Sequence, residues 1–355
     1  MSGDRGDGPD NVTGVDDATI DRHAWERPGA HEVAPGVHRI PLPLPGDALK
    51  AVNVYAIDDG DRLVLIDGGW AMESTSEQLD AALASLGRDI RDIREFLVTH
   101  MHRDHYTQAI AVRRITGSPV SLGEGEKGTL DAIHAAEVHP DIAHLYAAGA
   151  PGLAALLERW SMTDEFDRDI WEYPDRWLSS MVEIPLETRT LRVLATPGHT
   201  AGHVVFHDVD AGALFAGDHI LPHITPSIGL EFNRPRSPLG DYLNSLRLIR
   251  NLPDLRLLPA HGPVAGSTHT RVDELLAHHD ERLSATADAV AGGAATAFEV
   301  ANVLGWTRHH RAFTSLDEGN QMMAVHETVA HLTVLVDRGE LTTTVSDGVV
   351  HYEKA

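Results

Sequence analysis

Four side chains of types that bind metal ions lie within six consecutive positions, and this cluster constrains the fold more than any other feature. They are His100, His102, Asp104 and His105 in the sequence THMHRDH. A predicted strand (95–99) leads into the cluster. Because side chains alternate along extended backbone, His100 and His102 point the same way and both reach one ion. Asp104 and His105 lie where the chain begins to coil, so we expect them to turn towards a second ion.

Three further residues of ligand type follow short apolar strands elsewhere in the chain. The chain has no cysteine, so a transition metal must be held by nitrogen and oxygen atoms. One loop cannot close two coordination spheres, and the additional candidates are His199 in TPGHT, Asp218 in FAGD and His261 in PAHG. Asp and His also occupy ordinary turns and caps. Each candidate is therefore weak alone, but together with the first cluster they predict a site for two ions.

The hydrophobic pattern predicts an α/β fold followed by a smaller α+β unit. Strands are predicted at 53–57, 62–66, 95–99, 190–195, 204–207, 213–216 and 255–258, with helices at 74–86, 107–115 and 239–250. Residues 29–266 form the predicted main domain. Within it, residues 123–183 are predicted to be a helical insertion carrying Trp160, Trp171 and Trp177, which is either an apolar lid over the metals or ordinary core.

The two ends of the chain differ from this pattern. Residues 1–28 are acidic and lack apolar periodicity, so we expect a disordered tail. Residues 267–355 are expected to form a C-terminal domain, with helices at 272–291, 297–304 and 322–337 and a two-stranded ending around Asp347-Gly348.

Bulk composition excludes several classes of protein. The sequence contains no run of about 18 apolar residues, and its N-terminus is not a basic stretch followed by an apolar one. We therefore expect a cytoplasmic protein without a signal peptide or a membrane span. The formal net charge of −24 over 355 residues disfavours binding to a phosphate backbone. We expect a small-molecule substrate, and self-association is left open.

The motifs His-x-His-x-Asp-His, Pro-Gly-His-Thr, Gly-Asp and Ala-His-Gly, in that order, resemble the metallo-β-lactamase superfamily over about residues 30–266. The resemblance implies an αββα sandwich with a binuclear metal centre at one edge. It further implies that one ion is held by His100, His102 and His199, that a second is held by Asp104, His105 and His261, and that Asp218 bridges the two. Asp67 in LIDG resembles the superfamily's strand-end aspartate, which orients ligands, although an ordinary turn aspartate is the alternative.

Differences between branches of the superfamily narrow the expected chemistry. Flavodiiron oxygen reductases have Glu where His102 stands, so this pattern argues for hydrolysis over redox chemistry. True β-lactamases generally lack an aspartate that bridges both metals, so Asp218 favours the glyoxalase II, lactonase and ribonuclease-like branches. Relatives often continue with Gly-Gly after the cluster, whereas this chain has Tyr106, which either faces substrate or packs under the helix; packing is favoured.

The C-terminal part resembles the winged-helix-like extension on one branch of these hydrolases. Basic residues line the recognition surface of a winged helix that binds DNA, but residues 267–355 hold 13 acidic and 6 basic side chains. This balance favours packing, dimerisation or pocket covering over nucleic-acid binding. We expect His309-His310-Arg311 to be a solvated loop rather than a basic patch.

The sequence therefore predicts a binuclear metal hydrolase that uses a metal-bound hydroxide on a small ester, thioester or lactone. Zinc is the expected metal, and Mn, Fe or Co suit the same ligands. Asp104 is the candidate acid/base residue, with a pure ligand role as the alternative.

The competing predictions are a metal-dependent nuclease or phosphodiesterase, β-lactam hydrolysis, and a binding module with a degenerate site. A nuclease needs a basic track leading to the metals, and downstream of Asp218 we find only scattered arginines such as Arg234, Arg236 and Arg247.

Three more histidines lie close to the candidate ligands in sequence. His203 is expected to be a structural hydrogen-bond partner. His219 and His223 are candidates for the mouth of the pocket.

Overall fold

The computed structural model describes residues 23–46, 49–136, 139–163, 168–307 and 310–355. Most of the predicted acidic tail, and His309 of the predicted C-terminal loop, lie outside the described residues. At the end of that tail, Ala24–Glu26 forms a 3-10 turn, and the Trp25 carbonyl accepts a hydrogen bond from Arg39. In the part of the chain that is described, no helix combines the length and apolarity that crossing a membrane requires.

The first sheet contains seven strands in sequential order. The first four pair antiparallel and the last four pair parallel, so the sheet is mixed. Its central strands are continuous runs rich in Val, Ile and Leu, as expected for strands covered on both faces. The strands are β1 (His31–Ala34), β2 (Val37–Pro43), β3 (Ala51–Asp59), β4 (Arg62–Ile66), β5 (Ile93–Val98), β6 (Val120–Gly123) and β7 (Arg176–Leu178).

The second sheet contains five strands, β8 (Glu183–Pro185), β9 (Thr190–Ala195), β10 (Val204–Asp208), β11 (Ala213–Gly217) and β12 (Arg256–Pro259). Their order is β12-β11-β10-β9-β8, with β11 and β12 parallel and the other pairs antiparallel. The individual strands β1, β2, β6, β7 and β8 were not predicted from the sequence, and β7 and β8 are the shortest of these. Strands of three residues are too short to show a period in hydrophobicity.

The two sheets pack face to face, and helices cover both outer surfaces. Side chains of both sheets, including Ile57, Leu97, Phe206 and Phe215, form the core between them. A second core joins the outer face of the first sheet to α1 (Glu73–Ser85), α2 (Arg103–Thr116) and α3 (Lys127–Ala135). A third joins the second sheet to α4 (Asp141–Ala147), α5 (Pro151–Thr163) and α6 (Pro238–Arg250). The predicted arrangement of two sheets flanked by helices is confirmed.

The C-terminal region is helical and ends in a hairpin. It comprises α7 (Thr268–Ala291), α8 (Ala297–Val303), α9 (Glu318–Asp337), β13 (Leu341–Ser346) and β14 (Val349–Lys354). Each helix begins at a side chain that accepts a main-chain N–H, namely Ser267, Thr296 or Asp317. Its apolar side chains share one hydrophobic core with α4–α6, so the region packs directly on the main fold.

The tryptophans of the predicted insertion occupy three different environments. Trp171 is buried and stacks on Tyr106, with ring centroids 6.5 Å apart. Trp177 lies on β7 and packs against the same core. Trp160 lies on α5 and is 41% exposed. The contacts of Trp171 and Trp177 favour the core interpretation over a lid.

Glycines permit two loops near the carboxyl ends of β6 and β9 to touch. A Cβ on Gly202 would lie 2.1 Å from the main-chain nitrogen of Glu126, and one on Gly123 would lie 2.0 Å from the carbonyl oxygen of Gly202. No side chain fits between these backbones. The contact fixes the position of the segment that carries His199.

We expect Gly202→Ala to lower the free energy of unfolding by about 1–3 kcal/mol or more, because the added methyl group must displace backbone. Gly152→Ala in α5 is the control, since nothing lies within 4 Å of its Cβ. Denaturant unfolding of both variants measures the difference. Equal stability of Gly202→Ala and wild type would show that the loops separate without cost.

Candidate metal centre

Strand ends bring the seven predicted residues together at one edge of the sandwich. His100 and His102 follow β5, Asp218 directly follows β11, and His261 follows β12 after one residue. Helix α2 begins at Arg103, which is earlier than the sequence predicted, and His102 is the residue that flanks its N-terminus. Asp104 and His105 therefore lie in the first helical turn. Three overlapping groups of these side chains are able to hold a metal ion: His100, His102 and His199; His100, His105 and Asp218; and Asp104, His105 and His261.

The first cluster places three imidazole nitrogens around one point. His102 Nδ1 lies 3.0 Å from both His100 Nε2 and His199 Nε2. Asp218 Oδ2 lies 3.5 Å from His199 Nε2. Ligand atoms of a tetrahedral zinc site, with Zn–N distances near 2.0–2.1 Å, are separated by about 3.3 Å. These separations fit one coordination sphere.

The second cluster combines two imidazoles with two carboxylates. Asp104 Oδ2 lies 3.6 Å from His105 Nε2 and 3.4 Å from His261 Nε2. Asp218 Oδ1 lies 3.6 Å from His105 Nε2 and 3.4 Å from His261 Nε2. Charge-assisted hydrogen bonds are shorter, about 2.7–2.9 Å. The side chains therefore surround a common point rather than pair directly.

Asp218 is common to both clusters, with one carboxylate oxygen towards each. Its Oδ1 atom, His105 Nε2 and His261 Nε2 are buried and have no hydrogen-bond partner among the described residues. Buried polar atoms without partners cost free energy, so these three require a ligand. Imidazole nitrogens and carboxylate oxygens facing one another fit a divalent cation.

Hydrogen bonds from the opposite ring nitrogens fix the orientation of three histidines. His199 Nδ1 donates to the carbonyl oxygen of Ser227 over 2.8 Å, and His261 Nδ1 donates to that of Ala51 over 2.8 Å. His105 Nδ1 lies 2.9 Å from Asp67 Oδ2. In each case this bond holds a proton on Nδ1, so Nε2 is the nitrogen that would present its lone pair to a bound cation. Sequence reasoning missed Ser227 and Ala51, because only their main-chain oxygens are used.

Asp67 lies outside the cluster but contacts two segments that build it. Its Oδ1 atom accepts hydrogen bonds from the main-chain nitrogen of Thr99 (2.7 Å) and from the Thr99 hydroxyl (3.0 Å). Its backbone is in the left-handed region, with φ of 64°. Asp tolerates that conformation better than most side chains. The geometry matches the orienting role expected for Asp67.

Burial and charge divide the histidines into two sets. Burial lowers the pKa of His102 to about 3 and that of His199 to about 4, so both are neutral at pH 7. Although burial disfavours the charged form of His105, nearby carboxylates, Asp104 foremost, raise its pKa to about 10. Burial opposes the charge on His261 as well, yet Asp218 and Asp104 raise its pKa. In the second cluster, the carboxylates of Asp104 and Asp218 therefore favour a positive charge, whereas His102 and His199 of the first cluster stay neutral.

The structure places the remaining candidates outside the cluster. His203 Nε2 accepts from the main-chain nitrogen of Asp218 over 3.2 Å, and its Nδ1 lies 2.9 Å from the Thr196 hydroxyl, which confirms a structural role. His219 was a wrong candidate for the pocket mouth, because it is fully buried against Tyr242. His223 is exposed. Tyr106 is buried and donates to the Glu172 carbonyl, so it packs under α2 as expected.

We expect Asp67→Asn to weaken binding at the second cluster about 10- to 100-fold, because His105 loses the carboxylate that orients it. Asparagine keeps the shape and tolerates positive φ, so the fold is retained. Metal titration against a competing chelator measures the affinity of each site, and Asp61→Asn in the exposed β3–β4 turn is the control. Two sites of wild-type affinity in Asp67→Asn would contradict this role.

Comparison with known proteins agrees with this geometry. The Metallo-beta-lactamase superfamily profile matches residues 48–261. A Beta-lactamase-like protein 2 homolog of Caenorhabditis elegans is 25% identical over 309 residues, which cover 86% of this chain and 83% of that protein. The Atrochrysone carboxyl ACP thioesterase AgnL7 of Paecilomyces divaricatus is 25% identical over 275 residues, covering 77% of this chain and 70% of that protein.

A solved structure shows the same fold. A metallo-beta-lactamase family protein from Thermus thermophilus superimposes with a TM-score of 0.75 at 26% identity, covering 91% of this chain and 100% of that one. The superfamily match spans more than half of the chain and includes all seven residues of the cluster. The chain therefore belongs to the metallo-beta-lactamase superfamily and is a metallo-hydrolase of that superfamily.

Proposed function

We propose that the chain is a binuclear hydrolase that holds two zinc ions and cleaves a small ester, thioester or lactone. The first ion is assigned to His100, His102 and His199, the second to Asp104, His105 and His261, and Asp218 to both. Nitrogen and oxygen ligands at these separations suit zinc, and Mn, Fe or Co are the alternatives that metal analysis distinguishes.

One observation carries the proposal: the two oxygens of Asp218 face different clusters. Oδ2 lies 3.5 Å from His199 Nε2, and Oδ1 lies 3.4 Å from His261 Nε2. A site for a single ion does not need a carboxylate whose two oxygens face two different groups of ligands. Two ions held by a shared carboxylate lie close enough together to act on the same water and substrate.

When bound, the two cations would supply an activated water and a Lewis acid that polarises the carbonyl oxygen of the substrate. The chain itself orients this centre through Asp67 and the Ser227 and Ala51 carbonyl groups. His102 and Asp104 are the partly exposed members of the cluster, whereas the other five side chains are buried. Substrate therefore approaches from the side of the first turn of α2. Asp104, at that opening, is the residue placed to accept a proton from water and pass it to the leaving group.

The contacts of arginines downstream of Asp218 support an acyl substrate over a polyanion. Three arginines downstream of Asp218 are engaged elsewhere: Arg234 pairs with Asp141, Arg236 with Asp337, and Arg247 donates to Asn244. No basic track towards the cluster is built from them. The relative from Paecilomyces divaricatus is a thioesterase, which supports an acyl thioester as one member of the substrate class.

We also infer that residues 267–355, which contain α7, α8, α9 and the β13–β14 hairpin, form a winged-helix-like domain whose role is packing. Arg271 of α7 donates to the carbonyl oxygens of Leu221 (2.6 Å) and Ile224 (2.9 Å). These carbonyl groups belong to the loop between Asp218 and Ser227. The C-terminal region thereby supports a loop that contributes to the metal centre.

We expect His102→Ala and Asp218→Ala to lower turnover at least about a hundredfold, since each removes a candidate ligand and so an ion. His351→Ala in β14 is the matched control. Circular dichroism checks folding, elemental analysis counts bound metal, and the hydrolysis panel contains a thioester, a lactone, a phosphodiester and short RNA. Full activity of both variants would refute the two-ion mechanism. Cleavage of RNA or phosphodiester without cleavage of either acyl substrate would refute the substrate class.

A further inference from the structure

Two buried glutamates lie behind the first histidine cluster, outside the set of candidate ligands. Glu126 ends the 3-10 turn Glu124–Glu126 that follows β6 and is fully buried. Glu231 lies in the segment between β11 and α6 and is 8% exposed. A charged carboxylate is expensive to bury, so a pair of them needs a physical explanation.

Both glutamates bind the segments that carry the first cluster. The Thr200 hydroxyl donates to Glu126 Oε1 over 2.5 Å, and the Ala201 main-chain nitrogen donates to Glu231 over 3.1 Å. Thr200 and Ala201 directly follow His199. The main-chain amide of Met101, which lies between His100 and His102, also faces Glu126 and favours its charged form. The pair therefore contacts two of the chain segments that supply imidazoles to the first ion.

Among the described residues, only one cation, Arg234, acts on the pair, and one positive charge does not balance two buried carboxylates. Glu126 Oε2 is buried and has no hydrogen-bond partner among the described residues. Burial and the charge of Glu231 raise the pKa of Glu126 to about 8. Burial also raises the pKa of Glu231, and the cation that opposes this, Arg234, is itself paired with Asp141. The other titratable group that faces Glu126 is the hydroxyl of Tyr106, which is neutral at pH 7.

We propose that Glu126 and Glu231 share one proton at neutral pH, and that this pair is a positioning element that holds the His199 turn and the Met101 amide in place for the first ion. We assign the proton to Glu126, whose Oε2 accepts from no described group, while Glu231 stays an acceptor for Thr129 and Ala201. The positioning part rests on the proposed metal centre. The proton-sharing part does not.

The shared proton gives stability a defined dependence on pH. The pKa of an unfolded glutamate is about 4.5, whereas that of folded Glu126 is about 8, so the folded chain holds one more proton between these values. Stability from this group is present at low pH and is lost as pH rises through that window. Glu126→Gln keeps a neutral group with an N–H donor, so the loss disappears in that variant.

Denaturant unfolding between about pH 5.5 and 7.5 tests proton sharing. We expect the folding equilibrium constant of wild type to fall about tenfold per pH unit relative to that of Glu126→Gln. Glu124→Gln is the control, because Glu124 lies in the same turn but is exposed and bonded to Ser179. A wild-type slope equal to that of Glu126→Gln would overturn proton sharing. In the infrared spectrum, wild type at pH 7 should show a protonated carboxylic acid band that Glu126→Gln lacks, and its absence would overturn proton sharing too.

Zinc affinity, measured against a competing chelator, tests positioning. We expect Glu126→Ala to bind zinc at the first site about 10- to 100-fold more weakly, Glu126→Gln to restore affinity to within about threefold of wild type, and Glu124→Ala to leave it unchanged. Wild-type affinity in Glu126→Ala, or no rescue by Gln, would overturn the positioning role. If Glu126→Ala does not fold, Glu231→Gln is measured in its place. If its stability depends on pH in the same way as that of wild type, the proposed glutamate pair is overturned. Failure of wild type to bind zinc would overturn the positioning part together with the proposed function, while the pH slope still decides proton sharing.

Discussion

The sharing of Asp218 between two groups of imidazoles is the interaction on which the rest of the site depends. It requires the carboxyl ends of β5, β9, β11 and β12 to meet at one edge, although these strands belong to two different sheets. Face-to-face packing of the sheets brings the four ends together. The apolar core between them, with Phe206 and Phe215 among its members, therefore sets the separation of the metal ligands as well as the stability of the fold.

Hydrogen bonds behind the imidazoles solve the problem of burying so many polar rings. His199 and His261 donate to main-chain carbonyl groups, and His105 donates to Asp67. These bonds satisfy one nitrogen of each ring and direct the other into the cluster. Two further contacts lie behind these hydrogen bonds and hold the segment that follows His199. One is the close approach of Gly123 and Gly202, and the other is the glutamate pair. The orientation of the ligands is thus built into the chain itself.

The sequence predicted the cluster well because its signal is local and chemical. THMHRDH, and the three residues that follow apolar strands, name all seven members of the cluster, and the long periodic elements were located to within a few residues. The features that the sequence did not predict are mostly short elements or contacts between residues far apart in the chain. Strands β7 and β8 have three residues each, α2 begins four residues earlier than its apolar pattern, and Ser227 and Ala51 act through atoms that every residue possesses. Burial of His219 against Tyr242 depends on α6, which is distant in sequence. The glutamate pair was also missed, because nothing in Glu126 or Glu231 alone indicates a shared environment.

The presence of two cations joined through Asp218 is the central claim, and anomalous X-ray diffraction from crystals of the zinc-loaded protein tests it most directly. We expect two zinc peaks per chain about 3.5–4 Å apart, with one oxygen of Asp218 bound to each ion. A single peak, or two peaks of which only one contacts Asp218, would contradict it.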